Sequence, residues 1–441
     1  MGVQHSYRDI DAALSNSLPE KGPLRDYMEW AVQTTAADPY FHLAAILPSF
    51  AHELTRKGFR LGSSLRPLRL MTAIIGESGR GKSTCLSNAR KLTKEWMSIT
   101  DPDRMAPHLH ANGSIAGIIH AMQSHWHEEG QCTSPIFTLD ELSALLTHDQ
   151  FADAFNQLWD GTDFQRHYRH LQKSSDKHES TTVRSPVLLG AFAGTVSALQ
   201  PVVEGYHIEG GIISRILWYR QEPPLSDADF QKYMHVCFDS HEEWRGDVAQ
   251  RCASWSAALK AYRIMGNPRM ILVEDDVYEF IREKLWNEVR SAQGSRTGSV
   301  ITRLVEHVQT VGAIYAATES DLAEGITVKV RHVATALRFI EKCRDSILGI
   351  EKHLAVEQVM KDVAAVEDVI RASGSDGTTR SELYPKTKLP KNRIDQAVSH
   401  LIDSEDIVMV MSKSKGRGRR GVRYYVSRFA PSDEAEVPVF N

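Results

Sequence analysis

No apolar run in the chain approaches the roughly 18 to 20 residues needed to cross a bilayer. The opening residues, Met-Gly-Val-Gln-His-Ser-Tyr-Arg-Asp, lack the apolar core of a secretory signal, so a cytoplasmic location away from any membrane is expected. Cysteine is sparse: five residues, Cys85, Cys132, Cys237, Cys252 and Cys343, with no C-x-x-C pair. That spacing argues against a disulfide framework and against a zinc site. A strong charge of either sign is also missing, the net value being −4, so any nucleic-acid surface must arise from local clustering. What remains is ordinary globular composition, 42% hydrophobic and 24% charged, in 441 residues that suffice for two or three domains.

The most informative stretch is 68–84, where Leu-Arg-Leu-Met-Thr-Ala-Ile-Ile runs into Gly-Glu-Ser-Gly-Arg-Gly-Lys-Ser-Thr. An apolar strand followed by G-x-x-x-x-G-K-[ST] and a helix-like segment is the pattern of a phosphate-binding loop. Gly76, Gly79 and Gly81 let the backbone curl with its N–H groups inward, and the positive end of the following helix faces the anion. Lys82 is expected to reach the β- and γ-phosphates and Ser83 to hold Mg²⁺, with Thr84 beside them. The bland alternative is a Gly-rich turn with an incidental lysine.

Residues 24–58 show helical apolar spacing, with Asp38-Pro39 as a helix start. Ile136-Phe137-Thr138-Leu139 reads as a second strand ending in Asp140-Glu141, one acid to orient the metal's hydration shell and the other to polarise a water; strands also end in acids simply to cap the next helix. Residues 160–185 are polar and read as a hairpin in which Arg166, Arg169 and Lys173 would grip the phosphates of a threaded strand, the alternative being a solvated loop. A third apolar strand, 187–194, ends at Thr195, a candidate γ-phosphate sensor or an ordinary strand-end hydroxyl. Arg215 then enters another apolar strand and needs an anionic partner, either a phosphate held by a neighbouring subunit or a carboxylate of its own chain. Residues 270–352 read as helical, and Arg303 is a candidate second sensor or a solvated surface residue.

Residues 361–430 read as a separate module of three helices followed by two strands, the order of a winged helix. Lys413, Lys415, Arg417, Arg419, Arg420, Arg423 and Arg428 lie between Met411 and the chain's last turn without an intervening acid. Such a basic wing suits phosphate backbones, although winged helices also dock proteins.

Taken together, residues 76–83, 136–141, 187–195 and 210–219 resemble an ATPase family of phages, plasmids and genomic islands, often encoded beside primases, over roughly residues 24–350. The order also looks like the minichromosome maintenance helicases. The resemblance implies an α/β fold: an AAA+-type P-loop ATPase core (61–265) with a helical N-terminal segment (1–60), a helical lid (266–355), a winged-helix domain (356–430) and an acidic tail (431–441). It further implies ATP and Mg²⁺ as cofactors, a homo-oligomeric ring, expected to be a hexamer, and Arg215 completing the neighbour's site. Single-stranded DNA in the pore, duplex DNA at the winged helix and a primase are the implied partners. The implied activity is that of a mobile element's replicative helicase. A DNA-binding initiator or regulator using ATP as a switch is the main alternative, and a P-loop kinase or phosphotransferase a third.

Overall fold

A computed structural model describes residues 12–35, 37–102, 107–110, 115–142, 149–161, 164–168, 179–196, 199, 211–221, 242–262, 269–293, 298–322, 325–411 and 422–429. They fall into two compact units, Met1–Ile350 and Glu351–Asn441.

The first unit is mixed α/β, built on a parallel sheet. Its strands are β1 (Leu70–Ile75), β2 (His108–His110), β3 (Ile136–Leu139), β4 (Leu189–Gly194) and β5 (Ile216–Arg220). Their spatial order is β5-β1-β4-β3-β2, and every pairing is parallel. All residues of β1, β3 and β4 are buried. Strands covered on both faces read as continuous apolar runs rather than alternating ones, which is why their sequences stand out. The exception within β1, Thr72, donates its hydroxyl to the Ala44 carbonyl at 2.6 Å.

Two helices precede the sheet, α1 (Pro23–Thr34) and α2 (Pro39–Arg56). Asp38 caps α2, its Oδ1 accepting from the Tyr40 N–H at 2.9 Å, and Pro39 occupies the first helical position, where its missing N–H costs nothing. Every residue of α2 from Tyr40 to Arg56 is buried. A helix covered all round is a core element, and α2 lies in the same apolar cluster as β1, β4 and the later helices. Its buried Glu53–Arg56 ion pair is joined by the Ser256 hydroxyl from α4 (Glu242–Ala261). The phosphate-loop helix is α3 (Lys82–Thr100). Further on come α5 (Asp275–Ser291), α6 (Gly298–Glu319) and α7 (Val330–Ala372). On α6, Leu304, Val308, Val311 and Ile314 belong to the cluster that includes Tyr27, Phe41 and Ile74. One core therefore serves the early helices, the sheet and the late helices. The polar stretch after Gly161 does form an antiparallel pair of strands, Phe164–Tyr168 with Glu179–Val183.

The second unit contains the end of α7, α8 (Arg380–Thr387), α9 (Lys391–Asp403) and strands β6 (Ile407–Met411) and β7 (Val422–Val426). β7 pairs antiparallel with both β6 and the short strand Thr378–Thr379. Its core gathers Val366, Ile370, Leu383, Ile394, Leu401 and Ile407. Thr379 and Glu382 form a capping box at the start of α8, each satisfying a backbone N–H that the helix leaves free. Among the described residues no helix is long and apolar enough to cross a membrane.

Candidate functional site

At the carboxyl end of β1 the chain leaves the sheet through Gly76, whose N–H donates to the Gly194 carbonyl at 3.2 Å. The loop closes at Gly81, which adopts φ +76° as the cap of α3. A Cβ there would stand 2.8 Å from the Ala37 Cβ, so both the left-handed backbone and the close approach of the segment before α2 require glycine. Lys82 follows as the first residue of α3 and is only 8% exposed. Its ammonium donates to the carbonyls of Gly76 at 2.7 Å and Glu77 at 2.6 Å. Burial lowers the Lys82 pKa, and the carboxylates of Glu141 and Glu77 oppose that shift. Ser83 and Thr84 are exposed on the first turn of α3.

The acids arrive from β3. Asp140 and Glu141 follow Leu139 and are exposed, while the next residue is pinned by a 2.8 Å bond from the Leu142 N–H to the Ala193 carbonyl on β4. Glu141 Oε1 lies 3.8 Å from where a Cβ on Gly194 would stand. That distance is ordinary van der Waals contact and places the Glu141 carboxylate beside the end of β4. Thr195 comes directly after β4 and is half-buried. Because β4 is inserted between β1 and β3, Lys82, Thr195 and the Asp140-Glu141 pair share the carboxyl edge of three adjacent strands, spanning about 10 Å at ordinary strand spacing. In open α/β sheets this edge is where ligands bind. A buried ammonium bonded only to neutral carbonyls, a helix N-terminus and two exposed carboxylates form a donor set suited to a polyphosphate with a divalent cation.

Arg215 is elsewhere. It ends the one-turn helix Ile212–Arg215, immediately before β5. In the parallel register Ile216 faces Met71 and Arg220 faces Ile75. Arg215 therefore stands level with Leu70, about 20 Å of strand before the loop and beyond the reach of its own Lys82 site. Its Nη1 donates to the Gly211 carbonyl at 2.9 Å and its Nη2 approaches Asp160 Oδ1 at 3.5 Å. Gly211 has φ +78°, and a Cβ on it would strike Nη1 at 2.5 Å. The Arg215 Nε is buried without a hydrogen-bond partner among the described residues. Burial, and then the nearby Arg303 cation, disfavour the charge on Arg215, with Asp160 only partly compensating. Among the described residues the anionic partner of this guanidinium is therefore a carboxylate of its own chain, Asp160, reached through Nη2 alone.

Arg303 does not join the loop, where a second sensor of the same chain's nucleotide would have to be. It pairs with Glu306 at 2.8 Å and lies close enough to Arg215 and Arg69 to disfavour their charges. The reason is that α6 packs against the turn that carries Arg215, with His307 meeting the Ser214 carbonyl. Of the expected DNA-contacting residues, Arg166 occupies a hairpin position paired with Thr181. Arg169, Lys173, Lys413, Lys415, Arg417, Arg419 and Arg420 lie outside the described residues. Arg423, from the same basic stretch, is engaged within its own module, donating to the carbonyls of Asp376 and Gly377.

Several contacts that build the site carried no sequence signal. Phe41 closes over the loop, its Cζ 3.2 Å from where a Cβ on Gly76 would be. Tyr219 on β5 donates its hydroxyl to Asp38 Oδ2 at 2.8 Å, tying the end of β5 to the cap of α2 beside the loop. These contacts join residues far apart in the chain, and neither motif nor periodicity marks them.

No family model matches the chain, and no curated protein does. Among solved structures the chain is similar to the ORC1 protein of Aeropyrum pernix, determined in complex with DNA, at 12% identity over 81% of this chain and 83% of that one. The TM-score is 0.22, a correspondence too loose to bear on function.

Proposed function

We propose that the chain is an ATP-hydrolysing P-loop ATPase of AAA+ type that acts on DNA in a head-to-tail ring, expected to be a hexamer, as the replicative helicase or translocase of a mobile element. The carrying observation is the division of the site: Lys82 and Glu141 share one edge of the sheet while Arg215, paired with Asp160 and with its Nε unpartnered among the described residues, occupies the other. A guanidinium so placed is out of reach of its own chain's loop and is proposed to exchange Asp160 for a phosphate bound to another subunit, because a head-to-tail contact repeated around a closed ring brings opposite edges together. Lys82 and the N–H groups of 76–84 hold the phosphates. Ser83 and Asp140 would hold Mg²⁺, which would neutralise charge on the phosphates when bound. Glu141 accepts the proton of the attacking water, Thr195 offers its hydroxyl to the terminal phosphate, and Arg215 of the adjacent subunit stabilises charge there.

DNA enters through the second unit. Its α8, α9 and the β6–β7 hairpin have the order of a winged helix, and the segment 412–421 between those strands contains Lys413, Lys415, Arg417, Arg419 and Arg420 without an acid. Arg166, Arg169 and Lys173 of the polar hairpin are proposed to contact single-stranded DNA.

The test is complementation. Arg215→Ala protein should bind ATP yet hydrolyse it about 10³-fold more slowly or worse, the scale of a lost arginine finger, and mixing it with Lys82→Ala protein should restore part of the rate. Normal hydrolysis by Arg215→Ala, or a wild type that stays monomeric with ATP and DNA, refutes the ring. Composite hydrolysis without strand displacement on forked DNA would instead assign the chain as an initiator or regulator that uses ATP as a switch.

A further inference from the structure

A cavity of about 670 Å³ opens at the amino-terminal edge of the sheet, on the far side from the phosphate loop. Its position follows from its walls, which include Arg69 just before β1, Pro186 and Val187 just before β4, and the segment after α2. Among the described residues four cations line it, Lys57, Arg60, Arg69 and Arg269, against one carboxylate, Glu129. Glu129 is shared: its Oε2 is 3.6 Å from the Lys57 ammonium and 3.8 Å from the Arg269 guanidinium. The other partners are neutral. Arg60 donates to the carbonyls of Gly130 at 2.6 Å and Phe59 at 3.0 Å, and Arg69 donates to the Asp160 carbonyl at 3.0 Å. The Arg69 Nε is buried with no hydrogen-bond partner among the described residues.

Hydrogen bonds to carbonyls satisfy donors without neutralising charge, so the described lining residues carry an excess of three positive charges, four cations less one carboxylate. Burial pushes the Lys57 and Arg69 pKa values down, and nearby carboxylates, Glu53 and Glu129 for Lys57, Asp160 and Glu306 for Arg69, oppose the shift. The walls are preformed: Arg60 N–H donates to the Arg269 carbonyl at 2.7 Å, and Val187 N–H to the Thr133 carbonyl at 2.8 Å. Among the described residues no aromatic side chain lines the cavity, so none of them offers a stacking surface for a base. Converging guanidinium forks and an ammonium select an oxyanion with several acceptor oxygens, and the volume lies in the range of small-ligand sites.

We propose that this cavity is a second anion site, distinct from the phosphate loop, that binds a phosphate-bearing ligand, either the polyphosphate of a free nucleotide or a phosphodiester of nucleic acid. It does not rest on the ATPase reading.

The experiment uses the full chain carrying Lys82→Ala, which disables the phosphate loop, and inorganic pyrophosphate as the probe in titration calorimetry at low salt. One saturable site is expected, weakened about tenfold or more by Arg69→Gln and by Lys57→Gln, the scale of one charge-assisted hydrogen bond. Glu129→Gln should act in the opposite direction, tightening pyrophosphate binding several-fold, and because its carboxylate is 42% exposed this variant keeps the test decisive if a cationic variant fails to fold. Absence of saturable binding, affinity unchanged by the cationic substitutions, or no tightening in Glu129→Gln overturns the proposal. Displacement of pyrophosphate by an oligonucleotide lacking terminal phosphates identifies the phosphodiester source, and displacement by ADP alone the free nucleotide. Displacement by neither also overturns it.

Discussion

Protonating His307 should destabilise the fold at its contact with the turn that carries Arg215. This histidine on α6 is 3% exposed, and its Nε2 meets the Ser214 carbonyl at 3.3 Å. A carbonyl only accepts, so Nε2 carries the hydrogen and the ring is held neutral in one tautomer. Burial pulls the His307 pKa down to about 4, outweighing the upward pull of the Ser214 bond and of Glu306, while Arg303 adds to the depression. The unfolded chain titrates at the ordinary value of about 6.5, so between these two values it binds more protons than the fold does. The resulting contribution is intact above about pH 6.5, declines as the pH falls toward 4 and is lost below it. A gap of roughly 2.5 units at about 1.36 kcal/mol each gives about 3 kcal/mol, a large fraction of a typical folding free energy. Urea unfolding from about pH 7 to about pH 4.5 should show stability falling with acid, and His307→Gln should flatten that dependence even if it lowers stability throughout. The relevant quantity is the slope. His332, whose pKa burial and Arg331 also bring to about 4, contributes with the same sign and is separated by its own Gln variant. An acid slope identical in wild type and His307→Gln would refute the argument.

Glu141→Gln should retain ATP binding and turn over at least roughly 10²-fold more slowly, measured by phosphate release, because the amide no longer accepts the proton of water. Gly81→Ala forces φ +76° on a residue with a Cβ and drives that Cβ against Ala37, so the melting curve should report a loss of more than about 1 kcal/mol and nucleotide affinity should fall with it. Replacing Arg417, Arg419 and Arg420 by Ala should lower duplex affinity about equally across sequences and flatten the log K against log salt slope by roughly 0.7 to 0.9 for each lost phosphate contact. Unchanged affinity there would favour a protein-docking role for the second unit.

The local chemistry was legible in the chain. Gly76 to Ser83 could be read as a loop because glycine spacing and a helix start are local properties, and β1, β3 and β4 stood out because strands covered on both faces must be apolar throughout. The same locality explains the cap at Asp38. Strand order was not legible: nothing in 187–194 says that this strand lies between the other two, yet that insertion brings Glu141 and Thr195 to the Lys82 edge. Tertiary structure also decided Arg303. Its sequence position suits reaching back to a nucleotide, but α6 docks beside the Ile212–Arg215 turn and carries it to the opposite edge, with Arg69 and Arg215. The basic cavity is likewise a product of folding, since Lys57, Arg60, Arg69 and Arg269 are unremarkable individually and come from separate parts of the chain. Periodicity and motifs record what each segment requires of its neighbours along the chain, whereas charge clusters and site geometry depend on which segments meet in space.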